Sequence, residues 1–278
     1  MYLSLALASA CLTGLWGFGT GQSGRRMSIY FVILVSASTA ILTYVTLGLA
    51  THNFVFDTRD VVAGLFGGVL NFIGTILLLK ALATGKMGVA SGVVPSYVLI
   101  PIAFSLIIGE SLGVLPAVGM VVIVLGIALF CLPGWRKGGG SGDTLRPIFL
   151  ALGAAGLFGL AIVVLDIGSR ANIYATLTLA QCPQVVVTSV MVLTAKRYRG
   201  TSPRDIGILV GSGLALGLAN LAFYAAAVEG NVGIVSVLRS LSPIVTAFLA
   251  FFILKEALRR TEILALIVVL IGTGMVLA

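Results

Sequence analysis

The sequence predicts an all-α integral membrane protein with ten transmembrane helices, arranged as two inverted five-helix repeats. Three observations predict this fold: the composition, the similarity of the two halves of the chain, and the distribution of basic residues. Of the 278 residues, 59% are hydrophobic and only 9% are charged. Because a soluble domain of this length needs far more polar surface, we expect the chain to lie in a lipid bilayer.

Apolar segments follow one another along the whole chain, at intervals that suit a membrane-crossing helix and a short loop. The first segment has no basic residue before it and is long enough to span, so it is interpreted as a helix rather than a signal peptide. The ten predicted spans are 2–22, 28–50, 61–82, 88–108, 112–131, 147–167, 173–195, 206–227, 232–254 and 261–277.

The two halves of the chain resemble each other. Residues 81–112 align with residues 226–258 at an offset of 145 or 146, which pairs Gly85 with Gly230 and Glu110 with Glu256. This similarity predicts a duplication. The predicted organisation is a first repeat at 1–132, a glycine-rich cytoplasmic linker at 133–146 and a second repeat at 147–278.

The basic residues indicate that the second repeat is inverted. Fourteen of the 17 lysines and arginines lie in loops after odd-numbered spans or in the linker, and the other three are Arg59, Arg170 and Arg239. Five crossings per repeat turn the second copy over, and basic loops face the cytoplasm. We therefore expect a multi-pass protein of the cell inner membrane with both termini outside the cytoplasm.

Arg239 is the strongest candidate for a functional residue, because it lies inside the apolar span 9. A charge in a bilayer costs at least ~2.5 kcal/mol unless it faces a partner or a wet cavity. Ser236 and Ser242 fall three residues on either side of it, on one face of a continuous helix. A guanidinium on this stripe is suited to a carboxylate or phosphate. The alternative is that Arg239 snorkels outwards or bonds carbonyls freed by Pro243.

Other polar and aromatic residues at mid-depth are further candidates for substrate binding, because together they predict a hydrated cavity. Any single amide among them is better explained as a hydrogen-bonding contact between helices, and the aromatic rings are equally explained by packing. These candidates are Trp16, Asn71, Tyr97, Gln181, Asn220 and Tyr224. Asp166 is interpreted instead as the partner of Arg170, four residues later on the same helix.

The residues also disfavour several functions. The three cysteines lie in separate spans and His52 is the sole histidine, so we expect no metal site, disulfide or cofactor. The short basic loops do not suit nucleic acid, and no phosphate-binding loop for ATP is present. A lipid-processing membrane enzyme remains a remote alternative, because the acidic residues are scattered.

Several short motifs resemble the EamA type of the drug/metabolite transporter superfamily. They are Trp16-Gly17 in span 1, Lys80-Ala81-Leu82 at the end of span 3, Ser242-Pro243 in span 9, and Glu110 and Glu256 at the ends of spans 4 and 9. The resemblance implies a secondary transporter or facilitator, not an enzyme, that moves a small polar metabolite by alternating access. Export of an amino acid or related carboxylate is preferred, a nucleobase, sugar or choline-like solute is the alternative, and a monomer is expected to be functional.

The predicted orientation is testable with a reporter enzyme that is active only outside the cytoplasm. Fusion after Ala278 should give an active reporter, because the last span follows the basic loop at Arg259 and Arg260. Fusion within the basic loop after span 7 should give an inactive one. A cytoplasmic C-terminus would overturn either the number of spans or the orientation.

Overall fold

The computed structural model describes residues 1–24, 27–84, 94–109, 113–136, 145–195, 202–254 and 260–277. Within these ranges the chain is helical, with short connections and no β-strand. The α-helices are α1 Tyr2–Gly24, α2 Ile29–Ala50, α3 Thr58–Thr84, α4 Leu99–Ile107, α5 Val114–Arg136, α6 Leu145–Ala195, α7 Pro203–Glu229, α8 Val232–Arg239, α9 Ser242–Leu254 and α10 Arg260–Leu277, with a 3-10 helix at Val94–Val98.

The all-α class is confirmed, and five helical segments of the described chain are long and apolar enough to cross a membrane. They are Tyr2–Gly24, Ile29–Ala50, Thr58–Leu78, Phe149–Thr194 and Pro203–Glu229. The count of ten spans in two inverted repeats stays a prediction. The residues that motivated it at Gly85, Glu110 and Glu256, and most of the predicted linker, lie outside the described residues.

α6 joins two predicted spans with a single non-helical residue between them. Asn172 is extended, with φ −148° and ψ 112°. Its Oδ1 accepts the N–H of Ala175 at 3.0 Å, which caps the second arm of α6. Its Nδ2 donates to the carbonyl of Asn53 at 2.8 Å, in the loop between α2 and α3. Asn172 therefore separates a first arm, residues 145–171, from a second arm, residues 173–195.

α3 begins at Thr58, three residues before the predicted span, because two carboxylates cap it. Asp57 Oδ1 accepts the N–H of Thr58 at 2.7 Å. Asp60 Oδ2 reaches back to accept the N–H of Asp57 at 2.8 Å. This reciprocal pattern satisfies backbone donors that the first turn of a helix leaves unpaired.

The described chain forms two compact units, and each draws segments from both halves of the sequence. Unit 1 comprises Met1–Val69, Val164–Glu229 and Ser242–Lys255, and unit 2 comprises Leu70–Val163, Gly230–Leu241 and Glu256–Ala278. These units group the chain by packing, so the predicted repeat boundaries at 132 and 147 remain predictions.

Glycines bring helix backbones together inside unit 1. A Cβ atom placed on Gly64 would lie 2.8 Å from the carbonyl oxygen of Thr176, and one on Gly68 would lie 2.8 Å from Cα of Ala180. The second arm of α6 thus packs directly on the backbone of α3. Such close approach is favoured in lipid, where dispersion replaces the hydrophobic effect between helices.

A second seam joins α7 to α2 in the same unit. A Cβ atom on Gly213 would lie 2.9 Å from the carbonyl oxygen of Ser36, and one on Gly217 would lie 2.9 Å from Cβ of Thr43. The neighbouring pair with the same spacing, Gly207 and Gly211, has no atom within 4 Å at the corresponding positions. Only one of the two GxxxG pairs in α7 is therefore a packing surface within the described chain.

In unit 2, α5 and α10 meet backbone to backbone. A Cβ atom on Gly119 would lie 2.8 Å from the carbonyl oxygen of Gly272, and one on Gly272 would lie 2.9 Å from that of Gly119. Ile123, one turn further along α5, is fully buried beside this contact.

Gly68→Ala should destabilise the protein, since the added methyl group would meet the backbone of Ala180. Overpacking of this kind costs ~1–3 kcal/mol. Gly211→Ala is the matched control: it is a glycine in an exposed part of a helix with nothing within 4 Å, and it should leave stability unchanged or raise it slightly. Thermal unfolding in one detergent compares the two, and equal unfolding temperatures would contradict the packing of α3 on α6.

Candidate functional site

The predicted span 9 is a broken helix. α8 ends at Arg239 and α9 begins at Ser242, with Ser240 and Leu241 in a turn between them. Pro243, at the second position of α9, accounts for the break: it has no N–H to donate to the carbonyl of Arg239, and its ring would clash with that carbonyl in a continuous helix. Arg239 is thus the last residue of a short helix rather than the middle of a long one.

This turn interrupts the helix on which a continuous polar stripe was predicted. The helical period stops at the turn, so Ser242 lies on a different helix from Arg239. Ser236 is on the same helix as Arg239, but it is fully buried and its hydroxyl donates to the carbonyl of Val232 at 2.6 Å. A role for either serine in binding stays a prediction.

α8 is fixed in unit 2 by its own cap and by α4. The side chain of Asn231 accepts the N–H of Ile234 at 3.0 Å. The N–H of Gly233 donates to the hydroxyl of Ser105 in α4 at 3.2 Å, and a Cβ atom on Gly233 would lie 3.1 Å from Cα of Ile102. The two helices therefore cross at close range, which fixes the position at which α8 ends.

Tyr97 lies on the 3-10 helix immediately before α4. The first arm of α6 packs directly on this segment, since a Cβ atom on Gly159 would lie 2.7 Å from the carbonyl oxygen of Tyr97 and 2.8 Å from Cβ of Ile100. The positive charge of Arg239 acts on the Tyr97 hydroxyl. The structure thus brings together two residues that the sequence analysis selected independently.

Arg239 and Tyr97 present a guanidinium and a phenol, both half-buried. A guanidinium only donates hydrogen bonds, and a phenol donates one. This combination suits an acceptor with negative charge, such as a carboxylate or phosphate. Unit 2 also carries Ser236 and the half-buried Asn71 of α3.

The other predicted residues belong to unit 1, where a contact between helices engages one of them, Asn220. Asn220 Nδ2 donates to the hydroxyl of the fully buried Tyr44 at 2.9 Å, which joins α7 to α2. Tyr224 is buried with its ring edge-to-face against Phe223, at 4.8 Å between centroids and 89° between planes. The bond of Asn220 fits the interpretation of the amides as links between helices, whereas Phe223 and Tyr224 are neighbours on α7. No pattern in the sequence pointed to Tyr44.

Trp16 and Gln181 of unit 1 differ from Asn220 and Tyr224 because each has a buried polar atom without a described partner. Trp16 Nε1 and Gln181 Oε1 are buried and have no hydrogen-bond partner among the described residues, and the same holds for Oγ1 of Thr13, three residues before Trp16 on α1. An unpaired buried polar group costs ~1–3 kcal/mol, so these groups are suited to meet water or a ligand. Ser242, the remaining candidate, is half-buried at the start of α9.

The predicted ion pair at the end of the first arm is confirmed. Arg170 Nε donates to Asp166 Oδ2 at 3.0 Å, and its Nη2 donates to the carbonyl of Ala227 at 3.4 Å. Sequence reasoning missed Asp60, which is fully buried with Oδ1 unpaired among the described residues. The spacing of two aspartates before an apolar run was the available signal for its capping role.

A metal centre finds no support in the described part of the chain, where no three His, Cys, Asp or Glu side chains are grouped to hold an ion.

The chain resembles known proteins in its fold and in part of its sequence. The chain aligns over 99% of its length with 98% of a solved chain titled only "Crystal structure of protein", at a TM-score of 0.82 and 15% identity, a likeness of fold alone. No curated protein sequence matches the chain. The sequence pattern of the EamA-like transporter family matches residues 145–278, which confirms the resemblance drawn from the motifs. Residues 145–278, a little under half of the chain, are thus similar in sequence to the EamA-like transporter family.

Proposed function

We propose that this protein is a secondary transporter that exports an amino acid or related carboxylate across the cytoplasmic membrane by alternating access. The match of residues 145–278 to the EamA-like transporter family supports an integral membrane protein that transports small solutes. The observation that carries the finer assignment is the position of Arg239 at the break in span 9, where its charge acts on Tyr97.

The energetics of Arg239 favour a ligand with negative charge. Residues Val232–Leu238 of α8 are buried, and Arg239 is the half-buried exception at the end of the helix. A guanidinium at membrane depth costs ~2.5–3.5 kcal/mol, and a bound carboxylate offsets that cost with two parallel charge-assisted hydrogen bonds. Broken helices that end beside a binding site are a recurrent device of secondary transporters.

The irregular backbone of span 4 supports the proposal of two inverted repeats. Adding the offset of 145 to the 3-10 helix at Val94–Val98 gives residues 239–243, which contain the break in span 9. Both spans thus depart from α-helix at matching positions of the duplicated sequence. In our proposal the ten predicted spans form two such repeats, and the substrate is exposed alternately to each side of the membrane.

Replacement of Arg239 should distinguish carboxylate binding from a structural role. In proteoliposomes, Arg239→Gln should lower kcat/KM for anionic and zwitterionic substrates by about 10- to 100-fold, the value of hydrogen bonds to a charged group. It should affect neutral solutes such as sugars little. Arg239→Lys keeps the charge but loses the planar guanidinium. Its kcat/KM for anionic substrates should therefore lie between that of the unsubstituted protein and that of Arg239→Gln. Tyr97→Phe should cost up to about tenfold.

Arg204→Gln is the matched control. Arg204 is exposed at the start of α7, so this variant should transport normally. Thermal unfolding of each variant separates lost binding from lost folding. If Arg239→Gln keeps both normal transport and the original preference for anionic over neutral solutes, the assigned role of Arg239 is wrong.

Transport should not require a pH gradient. No histidine lies in a predicted span, spans 1 and 6 carry no mid-membrane carboxylate, and Asp166 is paired with Arg170. Facilitated diffusion, or coupling through the substrate's own charge, is therefore expected. With equal pH on both sides of a proteoliposome, a gradient of a net-neutral zwitterion should drive flux by itself, and collapse of an imposed pH gradient should change the initial rate little. Strict dependence on the pH gradient would contradict this and direct attention to Asp166 or Glu229.

A further inference from the structure

An open groove of about 360 Å³ lies on the surface of unit 1, between the start of α3 and the end of the first arm of α6. Its walls are formed by Arg59, Val62 and Phe66 of α3 and by Val164 and Ile167 of α6. Val62, Phe66 and Ile167 are 62%, 56% and 49% exposed. Since these large apolar side chains belong to helices that cross the membrane, their natural contact is the hydrocarbon of the bilayer.

The dimensions of the groove match one leaflet. From Thr58 to Phe66 it follows α3 for nine residues, a rise of about 12 Å along the helix. Half of the hydrocarbon core of a bilayer is about 15 Å. Val55 and Phe56, in the loop directly before α3, are 63% and 52% exposed and suit the boundary between headgroups and acyl chains. The groove therefore offers a track for an acyl chain that begins at headgroup depth.

Two opposite charges lie at the headgroup end. Arg59 and Asp57 are both exposed, whereas the third charge of this turn, on Asp60, is fully buried. No ion pair holds Arg59 in the part of the chain that the structure describes. Asp57 uses one oxygen, Oδ1, to cap Thr58, which leaves its second oxygen able to accept from a ligand.

This pair of charges complements a zwitterionic headgroup better than an anionic one. A lipid phosphate accepts hydrogen bonds from a guanidinium. A primary ammonium donates to a carboxylate, whereas a quaternary ammonium has no N–H to donate. An anionic headgroup would place its charge beside Asp57, where like charges repel.

We propose that this groove binds a phospholipid of the phosphatidylethanolamine type. One acyl chain lies along Val62, Phe66 and Ile167, the phosphate accepts from Arg59, and the ammonium donates to Asp57. The site is separate from Arg239 and does not depend on which solute is transported.

Fluorescence quenching in reconstituted vesicles tests the proposal. Phe66→Trp introduces a fluorophore into the groove, and Val190→Trp introduces one at another lipid-exposed position, 54% exposed on the second arm of α6. The unmodified protein gives the background from Trp16 and Trp135. Phosphatidylcholine vesicles receive equal fractions of phosphatidylethanolamine, phosphatidylcholine or phosphatidylglycerol with brominated acyl chains.

Brominated phosphatidylethanolamine should quench Phe66→Trp about two- to fivefold more effectively than brominated phosphatidylcholine, the range for an ion pair near an exposed surface. The three lipids should quench Val190→Trp equally. Adding Asp57→Asn, which retains a good helix cap, should remove the preference for ethanolamine over choline. Adding Arg59→Gln should weaken quenching by all three lipids at the groove.

Equal quenching of Phe66→Trp by all three lipids would overturn the proposal, and so would a preference for phosphatidylglycerol, which would indicate an anionic-lipid site. Native mass spectrometry of the unsubstituted protein gives a second measurement that needs no tryptophan. Delipidated protein should retain added phosphatidylethanolamine over phosphatidylcholine, and Asp57→Asn should lose that preference. If Asp57→Asn retains phosphatidylethanolamine over phosphatidylcholine as the unsubstituted protein does, the proposed lipid site is also wrong.

Discussion

The constraint on which this structure depends is that a backbone in lipid has no water to bind. Every N–H and C=O group at membrane depth must find a partner in the protein, and the described chain meets this with helices and with capped ends where helices stop. Three threonine hydroxyls follow the same constraint: Thr39, Thr43 and Thr178 each donate to the carbonyl four residues earlier, so the donors of these three side chains are paired within apolar helices.

Close packing through small residues is the second consequence of the lipid environment. Because lipid tails are as apolar as leucine, helices gain little from hiding apolar surface from each other and associate through dispersion at short range. In unit 1 this produces the contact of α3 with the second arm of α6 at Gly64 and Gly68, and in unit 2 the contact of Gly119 with Gly272. Large apolar side chains are left to face outwards, and the groove beside Arg59 is part of that outward surface.

Local rules in the sequence predicted most of what is local in the structure. Helix positions followed from apolar runs, and the Asp166–Arg170 pair followed from its spacing of four. The features that the sequence analysis did not predict depend on residues far apart in the chain or on how a helix is interrupted. Asn220 bonds Tyr44, 176 residues away, which no short pattern encodes. Pro243 was noted as a source of free carbonyls, yet span 9 was predicted as one continuous helix, whereas α8 ends at Arg239.

In the candidate site, too, local sequence patterns predict some features, and packing between distant segments determines others. The apolar surroundings of Arg239 are visible in the sequence, because an arginine in an apolar run is conspicuous. Its proximity to Tyr97 is not, because it depends on the crossing of α4 and α8 at Gly233. Of the nine residues selected from the sequence, Trp16 and Gln181 retain buried polar atoms without a described partner, whereas Asn220 and Ser236 have their polar groups engaged.

The single residue that separates the arms of α6 has a consequence for how this chain tolerates change. Asn172 is at once the end of one arm, the cap of the next and an anchor for the carbonyl of Asn53. With no loop to absorb an extra residue, an insertion there would turn the second arm by about 100° and carry Thr176 and Ala180 away from the glycines of α3. Homologous chains should therefore vary in length at most of their loops but hold a fixed length through this corner.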